Sequence, residues 1–190
     1  MINLVLFGPP GAGKGTQADI LKEKYELIHI STGDVFRYNI KNATELGTLA
    51  KSYIDQGKLV PDEVTINMLS AEVDKAPDAK GFIFDGFPRT EIQAASLDGL
   101  LASKSTEVTA MVALEVDDEI LVQRLLERGK TSNRPDDADE SVIRNRIKVY
   151  YDETAILKSY YKNQDKYYGV DGVGSIEEIT ERLSKVIDSL

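Results

Sequence analysis

The chain has 190 residues, no cysteine and a single histidine, His29. This composition excludes disulfides, thiolate zinc sites, cysteine nucleophiles and histidine triads. The formal net charge of −9 disfavours nucleic-acid binding, because such binding needs a basic surface. The length suits one domain, and no apolar run approaches the roughly 20 residues that a membrane-spanning helix needs. The N-terminus lacks the basic region of a signal peptide, so we expect a cytoplasmic protein with no membrane or nucleic-acid partner.

Short apolar runs alternate with helical patterns along the chain. The runs predict β-strands over residues 2–7, 27–30, 81–84, 111–116 and 167–170. Apolar residues at helical spacing predict α-helices over residues 17–25, 62–73, 91–101, 118–128 and 176–190. This alternation is typical of βαβ units, so we expect a three-layer α/β fold with a parallel sheet between helices.

Two segments contain more chain than this alternation requires. Residues 31–60 have a helical pattern between two predicted strands, and residues 129–139 are polar and contain glycine and proline. We expect both to be insertions at the edge of the sheet. Such insertions in α/β folds commonly cover the ligand crevice.

The strongest motif is Gly8-Pro9-Pro10-Gly11-Ala12-Gly13-Lys14-Gly15-Thr16, which lies between the first predicted strand and the first predicted helix. This is the context of a phosphate-binding loop, in which glycines let backbone N–H groups converge and the helix N-terminus adds positive potential. Lys14 would supply a mobile cation for the β- and γ-phosphates. The general pattern has Ser or Thr directly after the lysine, whereas here Gly15 stands there and Thr16 follows.

A second motif lies where the predicted strand 81–84 ends in Asp85 and the chain continues to Arg89. An acidic residue at such a strand end is typical of proteins that hold Mg²⁺ beside a phosphate loop. The alternative is a carboxylate that caps the next turn. Arg89 would face the same crevice, where a guanidinium can bind phosphate with two hydrogen bonds. The alternative is a solvated surface arginine.

Five of the eight arginines lie between residues 124 and 146. Arg124 and Arg128 are one helical turn apart and share a face. The guanidinium fork suits phosphate binding and the stabilisation of a transferring phosphoryl group. Arg144 is equally well explained as a solvated helix residue. We interpret the tyrosines near the C-terminal side as packing residues, and His29 as a packed, hydrogen-bonded side chain.

Together these motifs resemble those of the adenylate kinases. The resemblance rests on residues 8–17, on 31–34 with Arg37, on 57–60, on 85–89 with Gln93, and on 128–137 with Arg146, in the family's order. Gly15 fits it, because nucleoside-monophosphate kinases of this kind carry Gly-Lys-Gly-Thr. The resemblance implies a P-loop nucleoside-monophosphate kinase fold with a five-stranded parallel sheet, a helical AMP-binding insertion at 31–60 and a short lid at 127–137.

The resemblance also implies a reaction and a set of residue roles. The reaction is ATP + AMP ⇌ 2 ADP with Mg²⁺, carried out by a monomer that maintains adenine nucleotide balance and whose partners are ATP, AMP and ADP. The ATP site would comprise Gly11, Ala12, Gly13, Lys14, Gly15, Thr16 and Arg128, with the backbone of Gly174 at the adenine. AMP would be bound by Thr32, Arg37, Lys58, Leu59, Val60, Gly86, Phe87, Pro88, Arg89, Gln93, Arg134 and Arg146. The residues expected to act on the transferring phosphoryl group are Lys14, Arg89, Arg128, Arg134 and Arg146.

The lid departs from the family pattern in two places. Between Asp137 and Arg146 the chain is one residue longer than is usual, and Pro135 stands where an aliphatic residue is common. Long-lid relatives often hold zinc, but this chain has no plausible tetrahedral ligand set, so we expect no zinc and Mg²⁺ bound through waters near Asp85. We interpret the lid carboxylates as hydrogen-bond partners of the lid arginines and as caps of a helix starting near Ser141; they are Asp136, Asp137 and Asp139. The expected hinges are Gly129 and residues 133–135.

Three alternatives remain open: a nucleotide switch, a kinase for UMP or CMP, and an interaction protein that has kept the fold. A switch gives no reason for so many phosphate-directed arginines, and the chain lacks a guanine-reading Asn-Lys-x-Asp motif. Thr32 and Gln93 favour AMP, because a glutamine amide can pair with an adenine edge. The presence of Lys14 and Arg89 argues against loss of catalysis.

Overall fold

The computed structural model describes residues 1–190, and its five strands form one sheet. They are β1 (Ile2–Phe7), β2 (Ile28–Ser31), β3 (Gly81–Asp85), β4 (Ala110–Glu115) and β5 (Tyr167–Asp171). The strand order is β2-β3-β1-β4-β5, and all neighbouring strands are parallel. The predicted five-stranded parallel sheet is therefore confirmed.

Nine α-helices connect and cover the strands. They are α1 (Lys14–Tyr25), α2 (Thr32–Lys41), α3 (Glu45–Ile54), α4 (Asp62–Asp74), α5 (Glu91–Ser103), α6 (Asp118–Gly129), α7 (Glu140–Val149), α8 (Leu157–Lys162) and α9 (Ile176–Ile187). A 3₁₀ turn (Pro135–Asp137) precedes α7, and a π-helical turn (Tyr150–Thr154) separates α7 from α8. None of these helices is both long and apolar enough to traverse a bilayer.

The helices divide into two layers, because each face of a parallel sheet must be covered. The core on one face includes buried side chains from α1, α6, α7 and α9, such as Leu21, Leu125 and Leu183. The core on the other face includes side chains from α4, α5 and α8, such as Leu69 and Leu97. The predicted three-layer arrangement follows from this division.

A third, smaller apolar cluster lies apart from the two main cores. It consists of Phe36 from α2, Ala50 from α3, Val60, and Met68 from α4. The helices α2 and α3 both fall within the segment 31–60, which was expected to be a helical insertion. This segment thus has its own small core, to which α4 contributes one side.

The strand order fixes where a ligand can bind. After β1 the chain runs to β2, at one edge of the sheet. After β3 it runs in the opposite direction, past β1 to β4 and then to β5 at the other edge. In open parallel sheets such a reversal leaves a crevice at the carboxyl ends of the strands. The glycine-rich loop follows β1 directly, so it lies at this crevice.

Candidate active site

A cleft of about 420 Å³ lies at the carboxyl ends of β1 and β3. Its walls come from the loops after these two strands, from the segment 31–60, and from residues around α6 and α7. This volume lies in the range typical of small-molecule sites. Segments that are far apart in the sequence therefore meet where the strand order predicts a ligand site.

Close backbone contacts shape the loop between β1 and α1. Gly8 has φ +139°, and a Cβ atom there would lie 2.7 Å from the carbonyl oxygen of Leu114 in β4. Gly11 has φ +85°, and a Cβ atom there would lie 2.9 Å from Leu125 Cγ in α6. Residues with side chains rarely adopt such φ values, so only glycine suits both positions. The loop can therefore pack closely against β4 and α6 before α1 begins.

Lys14 folds back into this loop. Its Nζ donates hydrogen bonds to the carbonyl oxygens of Gly8, at 2.8 Å, and Pro9, at 3.0 Å. Burial lowers the pKa of Lys14 to about 8, and neighbouring arginines lower it as well, although Asp85 opposes the shift. The ammonium group is still mostly protonated at neutral pH, so the loop holds a positive charge at its centre.

Asp85 lies at the end of β3 on the floor of the cleft. Burial tends to raise its pKa, but His29 and the positive charges of Lys14 and Arg89 outweigh this and hold the pKa below its usual value. His29 Nε2 lies 3.5 Å from Asp85 Oδ2, and Nδ1 lies 3.8 Å from Asp19 Oδ1. The cleft thus contains an ionised carboxylate flanked by cations.

The structure confirms one part of the expectation for His29 and corrects another. The side chain is packed on β2, with 11% of its surface exposed, but it lines the cleft beside Asp85. Its buried Nε2 atom has no hydrogen-bond partner in the protein. Periodicity alone could not show this, because Asp85 is brought beside His29 only by the pairing of β2 with β3.

Arg89 and Gln93 are held together beyond β3. The Arg89 backbone N–H donates to Gln93 Oε1 at 2.8 Å, and the Gln93 side-chain Nε2 donates to Asp62 Oδ1 at 2.8 Å. Arg89 Nε donates to the carbonyl oxygen of Gly86 at 2.7 Å. The orientation of the Gln93 amide is thereby fixed, and one N–H and one oxygen lone pair remain available to a ligand. Enclosure by the cleft walls and the charge of Arg146 lower the pKa of Arg89 to about 10, so it remains a cation.

One fully buried carboxylate orients two arginines from different helices. Asp137 accepts hydrogen bonds from Arg128 Nε at 2.6 Å, Arg128 Nη2 at 3.0 Å and Arg146 Nη1 at 2.7 Å. Asp136 adds an ion pair to Arg146 at 3.0 Å. Burial tends to raise the pKa of Asp137, but the two arginines hold it below its usual value. Arg128 of α6 and Arg146 of α7 are therefore fixed on the same side of the cleft.

These contacts confirm the interpretation of the lid carboxylates in part, because Asp137 pairs with Arg128, whereas Asp136 pairs with Arg146 of α7 and Arg134 pairs with Asp34. Asp136 and Asp137 are partners of the arginines, and Asp139 Oδ1 accepts a hydrogen bond from the Ser141 backbone N–H at 2.7 Å. Asp139 is thus the N-cap of α7, which begins at Glu140. The end of α6 at Gly129 also agrees with the sequence.

Asp34 lies between the segment 31–60 and the segment that follows α6. Its Oδ1 accepts a hydrogen bond from Arg37 Nη2 at 2.5 Å and lies 3.5 Å from Arg134 Nη2. The Thr32 hydroxyl donates to the carbonyl oxygen of Gly86 at 2.9 Å. The two sides of the cleft therefore meet through one carboxylate, while Thr32 ties α2 to the loop after β3.

Comparison with known proteins places this arrangement in a family. A sequence model described as adenylate kinase matches residues 6–166. The chain is 68% identical to an adenylate kinase of Flavobacterium psychrophilum and 63% identical to one of Flavobacterium johnsoniae. An adenylate kinase of Bacteroides fragilis is 49% identical, and each of these three alignments covers the whole of both chains. The chain belongs to the adenylate kinase family. Its activity is that of an ATP:AMP phosphotransferase, which interconverts ATP plus AMP with two ADP.

Most of the positions inherited from the adenylate kinase pattern line the single cleft described above. Those that the family pattern assigns to ATP are Gly11, Gly13, Lys14, Gly15, Thr16 and Arg128. Those that it assigns to AMP are Thr32, Arg37, Lys58, Leu59, Val60, Gly86, Phe87, Pro88, Arg89, Gln93, Arg134 and Arg146. The extra residue before Arg146 therefore does not move this arginine out of the cleft.

Two of the expected ATP-site residues do not line the cleft. The Ala12 side chain is completely buried in the core, and its backbone N–H donates to the carbonyl oxygen of Pro9 at 3.2 Å. Ala12 therefore closes the turn of the phosphate loop. Gly174 lies on an exposed loop after β5, next to α9 and outside the cleft lining.

Three other residues occupy positions that the sequence did not predict. Arg124 points away from the cleft and donates to the carbonyl oxygen of Gly172 at 3.2 Å. Tyr150 and Thr154, in contrast, line the cleft from the π-helical turn. A π-helical turn adds a residue to the helical repeat, so a pattern of 3.6 residues per turn predicts the wrong face.

Proposed function

We propose that ATP and AMP bind in this cleft with their phosphate groups meeting between Lys14 and the arginine side chains. The observation that carries the proposal is the convergence of Lys14, Arg89, Arg128, Arg134 and Arg146 on one cleft from separate segments of the chain. The cleft contains no cysteine, and its lysine is hydrogen-bonded within the loop. This chemistry favours direct transfer with charge stabilisation over a covalent intermediate.

The ATP end of the proposed site is the phosphate loop. Backbone N–H groups of residues 11–16 and the N-terminus of α1 would bind the β- and γ-phosphates. Lys14 would leave its carbonyl partners for phosphate oxygens, which are stronger acceptors because they are charged. Arg128 would approach from α6, and the backbone of Gly174 would contact the adenine.

The AMP end lies between the segment 31–60 and the loop after β3. The fixed Gln93 amide would read the adenine edge, with Thr32 beside it and with Phe87 and Pro88 forming the cleft wall. Arg37, Arg89 and Arg146 would bind the AMP phosphate. A buried amide that is left unpaired by a wrong base costs about 1–3 kcal/mol, so this end of the cleft would discriminate among nucleobases.

The transfer step conserves charge and needs no proton donor from the protein. An AMP phosphate oxygen forms the new bond to the γ-phosphorus of ATP, the bond to the bridging β-oxygen breaks, and its electron pair remains on the departing ADP. Charge spreads over the transferring oxygens during this exchange. In the closed site, Lys14 and the arginines would stabilise that charge, as an oxyanion hole does.

The floor of the cleft suits a Mg²⁺ ion that arrives with ATP. Asp85 is an ionised carboxylate beside the phosphate loop, with the Thr16 hydroxyl on the loop itself, and the chain has no cluster of three or more ligating side chains. This donor set fits Mg²⁺, which keeps several waters and binds through one or two carboxylates plus phosphate oxygens. When bound, the ion would neutralise charge on the phosphates.

We further propose that residues 127–137 form a short lid and residues 31–60 a nucleotide-binding unit, with both closing over the substrates. Closure would exclude water, which otherwise competes with AMP for the phosphoryl group. The lid would contain no zinc and would turn about Gly129 and residues 133–135. The family resemblance supports the remaining proposal, a cytoplasmic monomer acting on small molecules.

The test is ADP formation from ATP with AMP, UMP, CMP or GMP as the acceptor. AMP should be used at least tenfold more efficiently than the others, as kcat/KM. Gln93→Leu should raise the KM for AMP more than the KM for ATP. A UMP rate equal to the AMP rate would refute the assignment of the AMP end.

A further inference from the structure

A ring of three hydrogen bonds joins the first residue of α4 to the start of α5. Asp62 Oδ1 accepts hydrogen bonds from the Thr90 hydroxyl at 2.9 Å and from Gln93 Nε2 at 2.8 Å. The Thr90 hydroxyl oxygen in turn accepts a hydrogen bond from the Gln93 backbone N–H at 3.2 Å, as the N-cap of α5. Asp62 itself does not line the cleft, so any effect that it has on a substrate passes through Gln93.

The two polar neighbours of the Gln93 amide allow it only one orientation. The Arg89 backbone N–H can only donate, so it selects the side-chain oxygen, at 2.8 Å. The Asp62 carboxylate can only accept, so it selects the side-chain nitrogen. Turning the amide over would set donor against donor and acceptor against acceptor at a buried side chain, where unpaired polar groups are costly. The N–H and the lone pair that remain for a ligand therefore have fixed positions.

The orientation of this amide matters because purine bases differ at position 6. Adenine carries an N6–H donor beside a ring-nitrogen acceptor, and this pair matches an amide oxygen beside an amide N–H. Hypoxanthine and guanine carry an O6 acceptor in place of the N6–H donor. An amide that is free to turn over would offer its N–H to O6. An amide held in one orientation instead sets its oxygen against O6 and disfavours these bases.

We propose that Asp62 is a positioning residue that makes the acceptor end of the cleft selective for 6-aminopurines over 6-oxopurines. It holds the Gln93 amide through a hydrogen bond to a charged group, which is stronger than one between neutral groups. The inference rests on the proposed pairing of Gln93 with the adenine of AMP. Because Asp62 acts through Gln93 alone, its effect belongs to recognition of the acceptor base, and neither ATP binding nor the transfer step depends on it.

A purely structural role is the competing explanation for Asp62. An acidic residue in the first turn of a helix stabilises that helix through its dipole, and α4 has two such residues, Asp62 and Glu63. Glu63 carries the same charge in the same turn, but it is exposed and lies outside the cleft lining. Glu63→Ala removes that charge and leaves both partners of the Gln93 amide in place. It is therefore the matched control for Asp62→Ala.

The experiment measures steady-state kinetics with ATP as donor and with AMP or inosine monophosphate, whose base is hypoxanthine, as acceptor. In Asp62→Ala the preference for AMP, as the ratio of the two kcat/KM values, should fall about tenfold, because one charged hydrogen bond is lost. The KM for AMP should rise about fivefold, and the KM for ATP should stay within about twofold. Asp62→Asn keeps an acceptor oxygen and should retain most of the preference. Glu63→Ala should match the wild type with both acceptors.

A double variant tests whether Asp62 acts through Gln93. In the Gln93→Leu chain, which has no amide to orient, Asp62→Ala should cause no further rise in the KM for AMP. An unchanged preference in Asp62→Ala, an equal loss in Glu63→Ala, or full additivity in the double variant would overturn the positioning role. If Asp62→Ala does not fold, Asp62→Ser, whose side chain is one bond shorter than that of aspartate, decides the question. Failure of the proposed function has a different signature, because Gln93→Leu alone would then leave the KM for AMP unchanged.

Discussion

The phosphate loop and the lid segment both bring positive charge to one cleft, but they are built in different ways. The loop depends mainly on its own backbone: glycine conformations at residues 8 and 11, which also allow close contact with β4 and α6, and Lys14 bonded to carbonyl groups five and six residues away. The lid segment depends on residues from two helices, which meet at the buried carboxylate of Asp137.

Because of this difference, a substitution in the loop should reduce the rate alone, whereas one in the lid segment should also reduce the stability of the fold. A change to the Lys14 side chain removes a charge and two hydrogen bonds to loop carbonyl groups, but the path of the loop backbone is set by the glycines at residues 8 and 11. A change to Asp137 removes the only carboxylate partner of Arg128 and one of the two carboxylate partners of Arg146, so it should affect both the stability of the fold and the orientation of these arginines. The predictions below test this contrast.

Lys14→Met should have the largest effect. We expect kcat to fall about 100-fold to 1,000-fold, because the ammonium group stabilises charge that develops during transfer. The melting temperature should stay close to that of the wild type, because methionine retains the apolar stem. Rate and thermal melting are measured on the same preparation, with the exposed Lys22→Met of α1 as control. Near-normal turnover would contradict the assigned role.

Arg134→Ala should follow, with turnover reduced about 100-fold. Arg134 has one ion-pair contact in the protein, with Asp34 at 3.5 Å, so the structural consequence of losing it should be small. Steady-state kinetics with both nucleotides varied measure the effect, and Arg144→Ala is the control. An Arg134 variant as active as the control would show that the lid does not act through this arginine.

Asp137→Asn should reduce stability as well as activity. We expect about 2 kcal/mol of lost unfolding free energy, below the range for a fully buried ion pair because both arginine partners reach water. For a chain of this size that corresponds to a melting temperature lower by about 4–8 °C. Denaturant unfolding measures it, with Asp139→Asn as the comparison in the same segment, because Asp139 has no arginine partner and asparagine retains the oxygen that caps α7. A stability loss no larger than that of Asp139→Asn would contradict the prediction.

The pH dependence should reveal the lowered pKa of Lys14, which is about 8. Above that pH the free enzyme loses the ammonium charge, so kcat/KM for ATP should fall about tenfold per pH unit. Bound phosphate favours the charged form, so kcat should decline only at higher pH. A pH profile recorded from 6.5 to about 10 checks the decline of kcat/KM and the later decline of kcat. A flat kcat/KM over that range would refute the assignment.

Zinc removal should have no effect. A zinc-selective chelator, added with Mg²⁺ in excess, should leave the melting temperature unchanged, because the lid is held by arginine–carboxylate pairs. Elemental analysis of the purified chain provides an independent check. Stoichiometric zinc, or a lower melting temperature after chelation, would show that a metal holds the lid.

The sequence predicted the parts of the molecule that depend on local pattern. Five strands, the loop at residues 8–16 and the role of Asp137 as an arginine partner were all predictable, because glycine spacing, apolar runs and charge order carry that information. The family resemblance supplied the remaining site positions, of which all but Ala12 and Gly174 line the cleft.

The side-chain contacts that the sequence did not predict depend on how distant segments pack together. Arg124 and Arg128 share a helix face, yet one donates to the loop after β5 and the other to Asp137. Two long side chains on one helix face can reach groups that lie several ångströms apart, so helical spacing does not predict which groups they bind. The place of His29 beside Asp85 was likewise not predicted, because Asp85 is more than 50 residues away in the sequence and is brought close by the pairing of β2 with β3.

The most direct test of the central contrast is to record melting temperature and single-turnover rate together for Lys14→Met and Asp137→Asn. The account predicts a large loss of rate at unchanged melting temperature for Lys14→Met, and a lowered melting temperature together with a smaller loss of rate for Asp137→Asn. Equal destabilisation of the two variants, or a Lys14→Met chain that transfers the phosphoryl group at the wild-type rate, would contradict it.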